Sequence, residues 1–212
     1  MDQDPDDSEE LLRRSAAGDQ PALAALWERH RARLRQMVRL RLDRRLQGRV
    51  DPSDVLQDAY LDLAARLPEY ARERPMPTYL WLRLVTGQRL AQVHRQHLGA
   101  AMRDAGREVS LYRGALPQAS SASLAAQLLG RLTTASQAAV RAERQVQLQA
   151  VLNGMDPLDR EILALRHFEQ LSNGEAAEIL GLSKQAANNR YIRALGRLRD
   201  LLERVPGFFD QG

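Results

Sequence analysis

The stretch Ile179–Leu198, "ILGLSKQAANNRYIRALGRL", decides how this chain is read. Ser183 stands where a helix N-cap belongs, with a hydroxyl able to accept from a backbone N–H one turn later. Beyond it Ala187, Tyr191, Leu195, Leu198 and Leu202 recur at three and four residues, the spacing of one buried helical face. The opposite face carries Gln185, Asn188, Asn189, Ile192, Arg193 and Arg197. Upstream, Glu175 to Leu180 predicts a short helix with Ala176, Ala177, Ile179 and Leu180 as its apolar members. Gly181 ends it, because glycine accepts the left-handed conformation found after a helix C-terminus. Two helices, one tight turn and a small Ala177 at the crossing make a helix-turn-helix. Such a motif presents the outer face of its second helix to the DNA major groove. Asparagine is a poor helix former, but its amide can pair bidentately with adenine N6 and N7. A plain helical hairpin with a solvated polar face is the competing account of this segment alone.

The 212 residues suffice for one or two modest domains. The formal charge is +4, and of 31 basic residues only Lys184 is lysine. Guanidinium suits phosphate and guanine contacts, although GC-rich coding would give the same bias. The charge lies in blocks. Six acids and no base occupy the first ten residues, and eleven arginines against three acids fill Arg13 to Arg49. Asp51 to Glu69 then reverses to five acids and one arginine, before Arg72 to Arg107 turns basic again. Alternating blocks predict more than one macromolecular partner, against the simpler account of a self-neutralising surface.

With no cysteine there is neither a disulfide nor a thiolate metal site. No apolar run approaches the roughly 20 residues of a membrane span, and the acidic N-terminus is unlike a secretory signal. The expectation is a cytoplasmic protein with no membrane association.

Helical spacing recurs along the chain, with no strand-like alternation. Glu9 to Ala17 ends at Gly18, and a second helix starts near Pro21. Asp51-Pro52 opens a third, Asp51 as its cap, with Val55, Leu56, Ala59, Tyr60, Leu63 and Leu67 on the apolar side. Pro68 and the proline-rich "EYARERPMP" are expected to stop it. Thr78 caps a fourth helix reaching about His97. From Gly99 to about Gln137 the pattern dissolves, leaving at most a helical turn around Leu124 to Leu132. Helices resume from Val140. The expected fold is all-α: two small helical domains, residues 1–98 and 140–212, joined by a flexible linker over 99–139, with the helix-turn-helix in the C-terminal one.

These segments together carry a resemblance. "MDPLDREILALRHFEQLSNGEAAEILGLSKQAANNRYIRALGRLRDLL" resembles the C-terminal domain of bacterial sigma factors. "GDQPALAALWERHRARLRQMV", "DPSDVLQDAYLDLAARLPEY" and "PTYLWLRLVTGQRLAQVHRQ" resemble successive parts of their N-terminal domain. Only these two domains are present, the arrangement of the extracytoplasmic-function subgroup. The resemblance covers nearly all of the chain except the acidic N-terminus and the linker.

The resemblance implies a promoter-specificity subunit that binds core RNA polymerase, recognises −35 and −10 elements and helps open DNA. The helix of "DVLQDAY" would dock on the polymerase clamp helices through Asp54, Gln57, Asp58 and Asp62. Asp54, Gln57 and Asp58 share one helical face, at i, i+3 and i+4; ordinary solvent acids are the bland account. Tyr70 to Thr78 corresponds to the loop that holds a flipped −10 base, so Tyr70, Arg72, Arg74, Trp81, Arg83, Gln88 and Arg89 are implied −10 residues. Gln88 stands where the family commonly has asparagine. In the recognition helix the family's Thr-Val-Lys-Ser-Arg pattern reads Ala186, Ala187, Asn188, Asn189, Arg190. Base reading falls to Asn188, Asn189, Ile192 and Arg193, and phosphate contacts to Lys184, Gln185 and Arg190. Asn188 in place of the usual basic residue shifts the expected base preference. The partners implied are core polymerase (clamp helices and flap), promoter DNA and an anti-sigma factor, with a monomer expected when free.

No cofactor or metal is expected, and no catalysis. The sequence lacks a phosphate-binding glycine loop. His94 and His97, three residues apart, have no third ligand nearby and are expected on an exposed basic face. A stand-alone helix-turn-helix regulator and a polymerase-binding adaptor without promoter readout are the alternatives.

Overall fold

Asp51 accepts a hydrogen bond from the Ser53 amide (2.7 Å) and Pro52 follows it, so the chain enters a helix there. That helix is one of nine among the residues that the computed structural model describes, which are 5–98, 116–132 and 138–205. They are α1 (Pro5–Ala16), α2 (Gln20–Arg41), α3 (Pro52–Glu73), α4 (Thr78–Leu98), α5 (Ser121–Leu132), α6 (Ala138–Gly154), α7 (Pro157–Leu163), α8 (Asn173–Leu180) and α9 (Lys184–Glu203). A 3₁₀ turn, Arg44–Leu46, follows α2, and a π turn, Ala164–Phe168, follows α7. The fold is all-α, with no strand among the described residues.

Two compact units divide these residues: 5–38 with 46–98, and 39–45 with 116–132 and 138–205. In the first unit α4 is the central element. Tyr79 to Arg83, Val85, Thr86, Leu90 and His94 are all buried, as expected of a helix enclosed on most sides. α3 packs along it and buries Val55, Leu56, Ala59, Leu63 and Leu67, and Leu26, Leu34 and Met37 of α2 are fully buried.

Two expectations fail in this unit. Pro68 does not stop α3, which continues to Glu73. The ring removes one helical hydrogen bond, but Leu67 and Tyr70 on either side are buried and hold the turn in place. The helix ends instead at Arg74, whose left-handed backbone (φ 41°, ψ 56°) lets its N–H reach the Tyr70 carbonyl at 2.8 Å. His94 and His97 do not share an exposed face: His94 is 2% exposed and His97 lies in solvent.

In the second unit α5 and α6 pack together. The Ser/Ala-rich segment expected to be part of a linker is therefore helical from Ser121 to Leu132. Alanine is the best helix former, and Leu124, Ala125 and Leu129 give the helix a buried stripe at helical spacing. The remainder of the expected linker lies mostly outside the described residues.

Arg39–Arg45, which lies inside the expected first domain, packs with the second unit. The Ser120 amide donates to the Leu40 carbonyl (3.0 Å). Arg41, 2% exposed, donates through Nη1 to Pro117 O (2.8 Å) and through Nη2 to Glu161 (2.6 Å). Its Nε and Nη2 reach one oxygen of the buried Glu169 (2.9 and 2.5 Å). Burial opposes the arginine's charge, but the two carboxylates more than offset it and raise its pKa above the ordinary value.

Candidate nucleic-acid interface

The C-terminal helical pair is built from its caps. Ser172 and Glu175 form a capping box: the Glu175 amide donates to Ser172 Oγ (3.2 Å) and the Ser172 amide to Glu175 Oε2 (2.7 Å). α8 therefore starts at Asn173, earlier than the apolar pattern alone indicates. Gly181 closes α8 in the left-handed conformation (φ 62°), and the Leu182 amide donates to the Ala177 carbonyl at 2.9 Å. Ser183 caps α9 by accepting from the Ala186 amide (3.1 Å). Asn173 Nδ2 donates to the Lys184 carbonyl (2.9 Å), tying the start of one helix to the start of the other.

The inner face of α9 is rotated from the expected one. Ala187 and Ala194 are fully buried, whereas Leu195 is 39% exposed. Tyr191 is half-buried, with the Arg166 guanidinium 5.3 Å above its ring. Arg197, expected on the outer face, bonds the buried Asp159 instead. Arg190, expected to meet phosphates, donates to Asp159 (2.8 Å) and Asp156 (3.1 Å). α9 packs against α7, and the Asp159 carboxylate of α7 then draws in the neighbouring guanidiniums.

On the outer face Lys184, Gln185, Asn189, Ile192 and Arg193 are exposed and Asn188 is half-buried. Gln185 Nε2 donates to Asn189 Oδ1 (3.0 Å), and Arg193 Nε to the Asn189 carbonyl (3.3 Å). Asn189, Ile192 and Arg193 line an open concavity. Ile192 is 58% exposed with polar groups on both sides of it, a placement suited to a thymine methyl.

In the first unit, Asp54, Gln57 and Asp58 are exposed on one side of α3. Asp62 is half-buried and engaged by Arg89 of α4 (2.8 and 2.6 Å). That bond is the main cause of a raised Arg89 pKa. Tyr70 and Trp81 are not on the surface: their rings stack on each other with centroids 3.9 Å apart and planes 5° from parallel. The Tyr70 hydroxyl donates to the Met76 carbonyl (2.9 Å), which holds the proline-rich loop against the stack. Burial raises the pKa of this phenol. Arg83 is also buried. Arg66 donates to Gln88 (2.6 Å), Arg74 pairs with Glu9 (2.5 Å), and the exposed Arg72 pairs with Glu73 (3.2 Å). The residues expected at the −10 element are thus split between core and surface.

Residues 145–198, which run from α6 into α9, match the sigma-70 region 4 family. The chain is 27% identical over 190 residues to the ECF RNA polymerase sigma factor SigD of Mycobacterium tuberculosis, covering 90% of this chain and 81% of that one. It is 28% identical over 202 residues to the RNA polymerase sigma factor NccH of Alcaligenes xylosoxydans xylosoxydans, covering 94% and 97%. The chain is thus similar over most of its length to extracytoplasmic-function sigma factors. The fold agrees. CnrH, solved in complex with the cytosolic domain of CnrY, superposes with a TM-score of 0.55 at 22% identity, over 93% of this chain and 97% of that one.

Two residues of this chain are not signalled as functional by the sequence pattern. Leu61 is 62% exposed beside Asp58 on α3. Its exposure is legible there, since it falls outside the stripe of Val55, Leu56, Ala59 and Leu63. Asp159 gave a misleading signal. Three residues after the cap Asp156, it reads as an ordinary first-turn acid, yet its side chain is 2% exposed and faces α9. Among the described residues no group of three or more His, Cys, Asp or Glu is placed to hold a metal.

Proposed function

We propose that this sigma factor directs RNA polymerase to its promoters by binding alone, with α9 reading the −35 element in the major groove. The observation that carries this reading is the outer face of α9. There a capped helix-turn-helix presents two amides, an exposed isoleucine and an arginine side by side, the groups that read base edges. Asn188, Asn189, Ile192 and Arg193 take the bases, and Lys184 and Gln185 the backbone. A phosphate contact fixes register, and the base contacts carry the sequence information.

The exposed acids of α3 dock the factor on core polymerase through its clamp helices, with Asp54, Gln57 and Asp58 facing basic residues of the partner. Arg72 and Arg74 at the proline-rich loop, with Gln88 on α4, serve the −10 strand, while Arg89 is held on Asp62 and positions α4. Tyr70 and Trp81 support that loop from beneath. Opening DNA needs no bond chemistry from the protein, only capture of bases once they unstack. The factor works in the cytoplasm, where polymerase and promoter are; no helix among the described residues is long and apolar enough to cross a membrane. An anti-sigma factor is a further partner on this reading, and CnrH, of like fold, is seen with the cytosolic domain of CnrY.

Co-purification with core polymerase followed by run-off transcription tests the proposal. Expected is a stable complex that initiates at promoters core enzyme alone ignores. Duplex binding as a free dimer without polymerase association would indicate an ordinary regulator, and polymerase binding without promoter choice an adaptor.

A further inference from the structure

Arg190, Arg193 and Arg197 lie three and four residues apart along α9, close enough to form one positive stripe beside the base-reading face. The structure does not present them as one. Arg193 is exposed, next to Asn189 and Ile192. Arg190 and Arg197 both turn to Asp159, one to each carboxylate oxygen, and Arg190 adds a bond to Asp156. The Asp159 side chain is 2% exposed, so only the loss of both arginines would leave its charge unpaired; Arg190 keeps 30% and Arg197 58% of its side chain in solvent, and the carboxylate holds them by these bonds, not by burial.

We propose that Asp159 withholds Arg190 and Arg197 from DNA phosphates and so sets the selectivity of α9. This rests on the reading of α9 as the −35 recognition helix. Guanidinium–phosphate contacts strengthen binding to every sequence alike and add about 0.9 to the salt slope for each phosphate neutralised. Selectivity is the ratio of specific to non-specific binding, so two more such contacts raise its denominator. With both arginines held by Asp159, the outer face keeps Asn188, Asn189, Ile192 and Arg193 as its determinants. Asp159 is therefore a positioning residue, acting on DNA through two side chains that it keeps away from it.

The test measures fluorescence anisotropy of the full chain on random duplex and on a duplex carrying a selected −35 element, across a salt series. Asp159→Asn keeps the shape but weakens the hold on both guanidiniums. Expected is a gain of about tenfold in random-duplex affinity at 0.1 M salt, a slope steeper by roughly one to two, and reduced preference for the selected sequence. The triple variant Asp159→Asn/Arg190→Gln/Arg197→Gln should return the slope to the wild-type value. A merely structural Asp159 would instead give weaker binding with the slope unchanged or flatter, and that result overturns the proposal. Arg190→Gln and Arg197→Gln singly provide an independent arm should Asp159→Asn misfold, because glutamine can still donate to Asp159. Each should leave the wild-type slope unchanged, and a flattening of about one unit would show the arginine already on a phosphate and equally overturn it. Loss of any preference of wild-type holoenzyme for a promoter is a separate failure: it removes the −35 reading itself, whatever the slopes show.

Discussion

Arg89 of α4 grips Asp62 of α3 through two hydrogen bonds, Nε to Oδ2 at 2.8 Å and Nη2 to Oδ1 at 2.6 Å. Asp58, one turn earlier, stands 4.0 Å from the same guanidinium. The acidic face of α3 is thereby divided. Asp54, Gln57, Asp58 and Leu61 are open to a partner, while Asp62 fastens the two main helices of its unit.

That division predicts different phenotypes. Asp54→Arg/Asp58→Arg should weaken core polymerase binding by at least about tenfold, through repulsion of a basic partner, with the helical circular dichroism signal unchanged. Asp62→Asn should lower the melting temperature of the chain, at a cost of about 1 kcal/mol, and affect docking less. Unaltered core affinity in the double reversal would remove this face from the interface.

Leu61 extends the same face. Leu61→Lys should weaken core binding without lowering thermal stability, because the side chain is 62% exposed and contributes little to the core. Surface plasmon resonance against core enzyme, paired with a thermal melt, checks both halves. A drop in stability equal to the loss in binding would assign Leu61 to folding instead.

At the proposed DNA-reading face, Asn188→Ala should lose about 1–3 kcal/mol of discrimination at one or two base pairs. Lys184→Ala should weaken binding to all sequences similarly and flatten the salt slope by about one. Selection from a promoter pool with each variant separates the two. A uniform loss for Asn188→Ala, with no shift in the selected sequence, would leave α9 as a phosphate-binding helix only.

The buried triad predicts a stability effect elsewhere. Arg41→Ala removes the cation facing Glu169, whose side chain is fully buried, and Glu161. Breaking a buried pair from one side costs about 3–5 kcal/mol. Denaturant unfolding should show this as a lower midpoint, and a change within 0.5 kcal/mol, the size of an ordinary surface substitution, would mean the triad contributes nothing net.

Acid should loosen the start of α7. The Leu158 amide first, with the Asp159 amide and Arg190, holds the Asp156 pKa below its ordinary 3.8. A depressed carboxyl pKa adds stability above the unfolded value, and this is lost as pH falls through the folded one. Asp156→Asn should therefore unfold with a shallower pH dependence below about pH 4, followed by circular dichroism; an identical acid limb would argue against the cap.

Much of this was legible from residue order, because the signals are local. Asp51-Pro52, Gly181 and Ser183 act within one turn of themselves, so their helix boundaries follow from the sequence. The two amides and Ile192 were placed outward by period alone. Composition misled at α5, where Ser and Ala read as a tether although Leu124 and Leu129 were spaced to be buried. It misled also at Pro68, where a ring that would end an isolated helix is tolerated beside buried Leu67 and Tyr70.

What the sequence by itself determined is the helical class, the helix-turn-helix and the chemistry on its outer face. Only tertiary structure decided which of many arginines are available. Arg41 finds Glu169 128 positions away and Arg190 finds Asp159 31 positions away, and no periodicity relates such pairs. A guanidinium on a flexible stem takes whichever carboxylate the fold brings within reach, and a buried carboxylate holds it there because leaving it unpaired costs more than the contact with water returns.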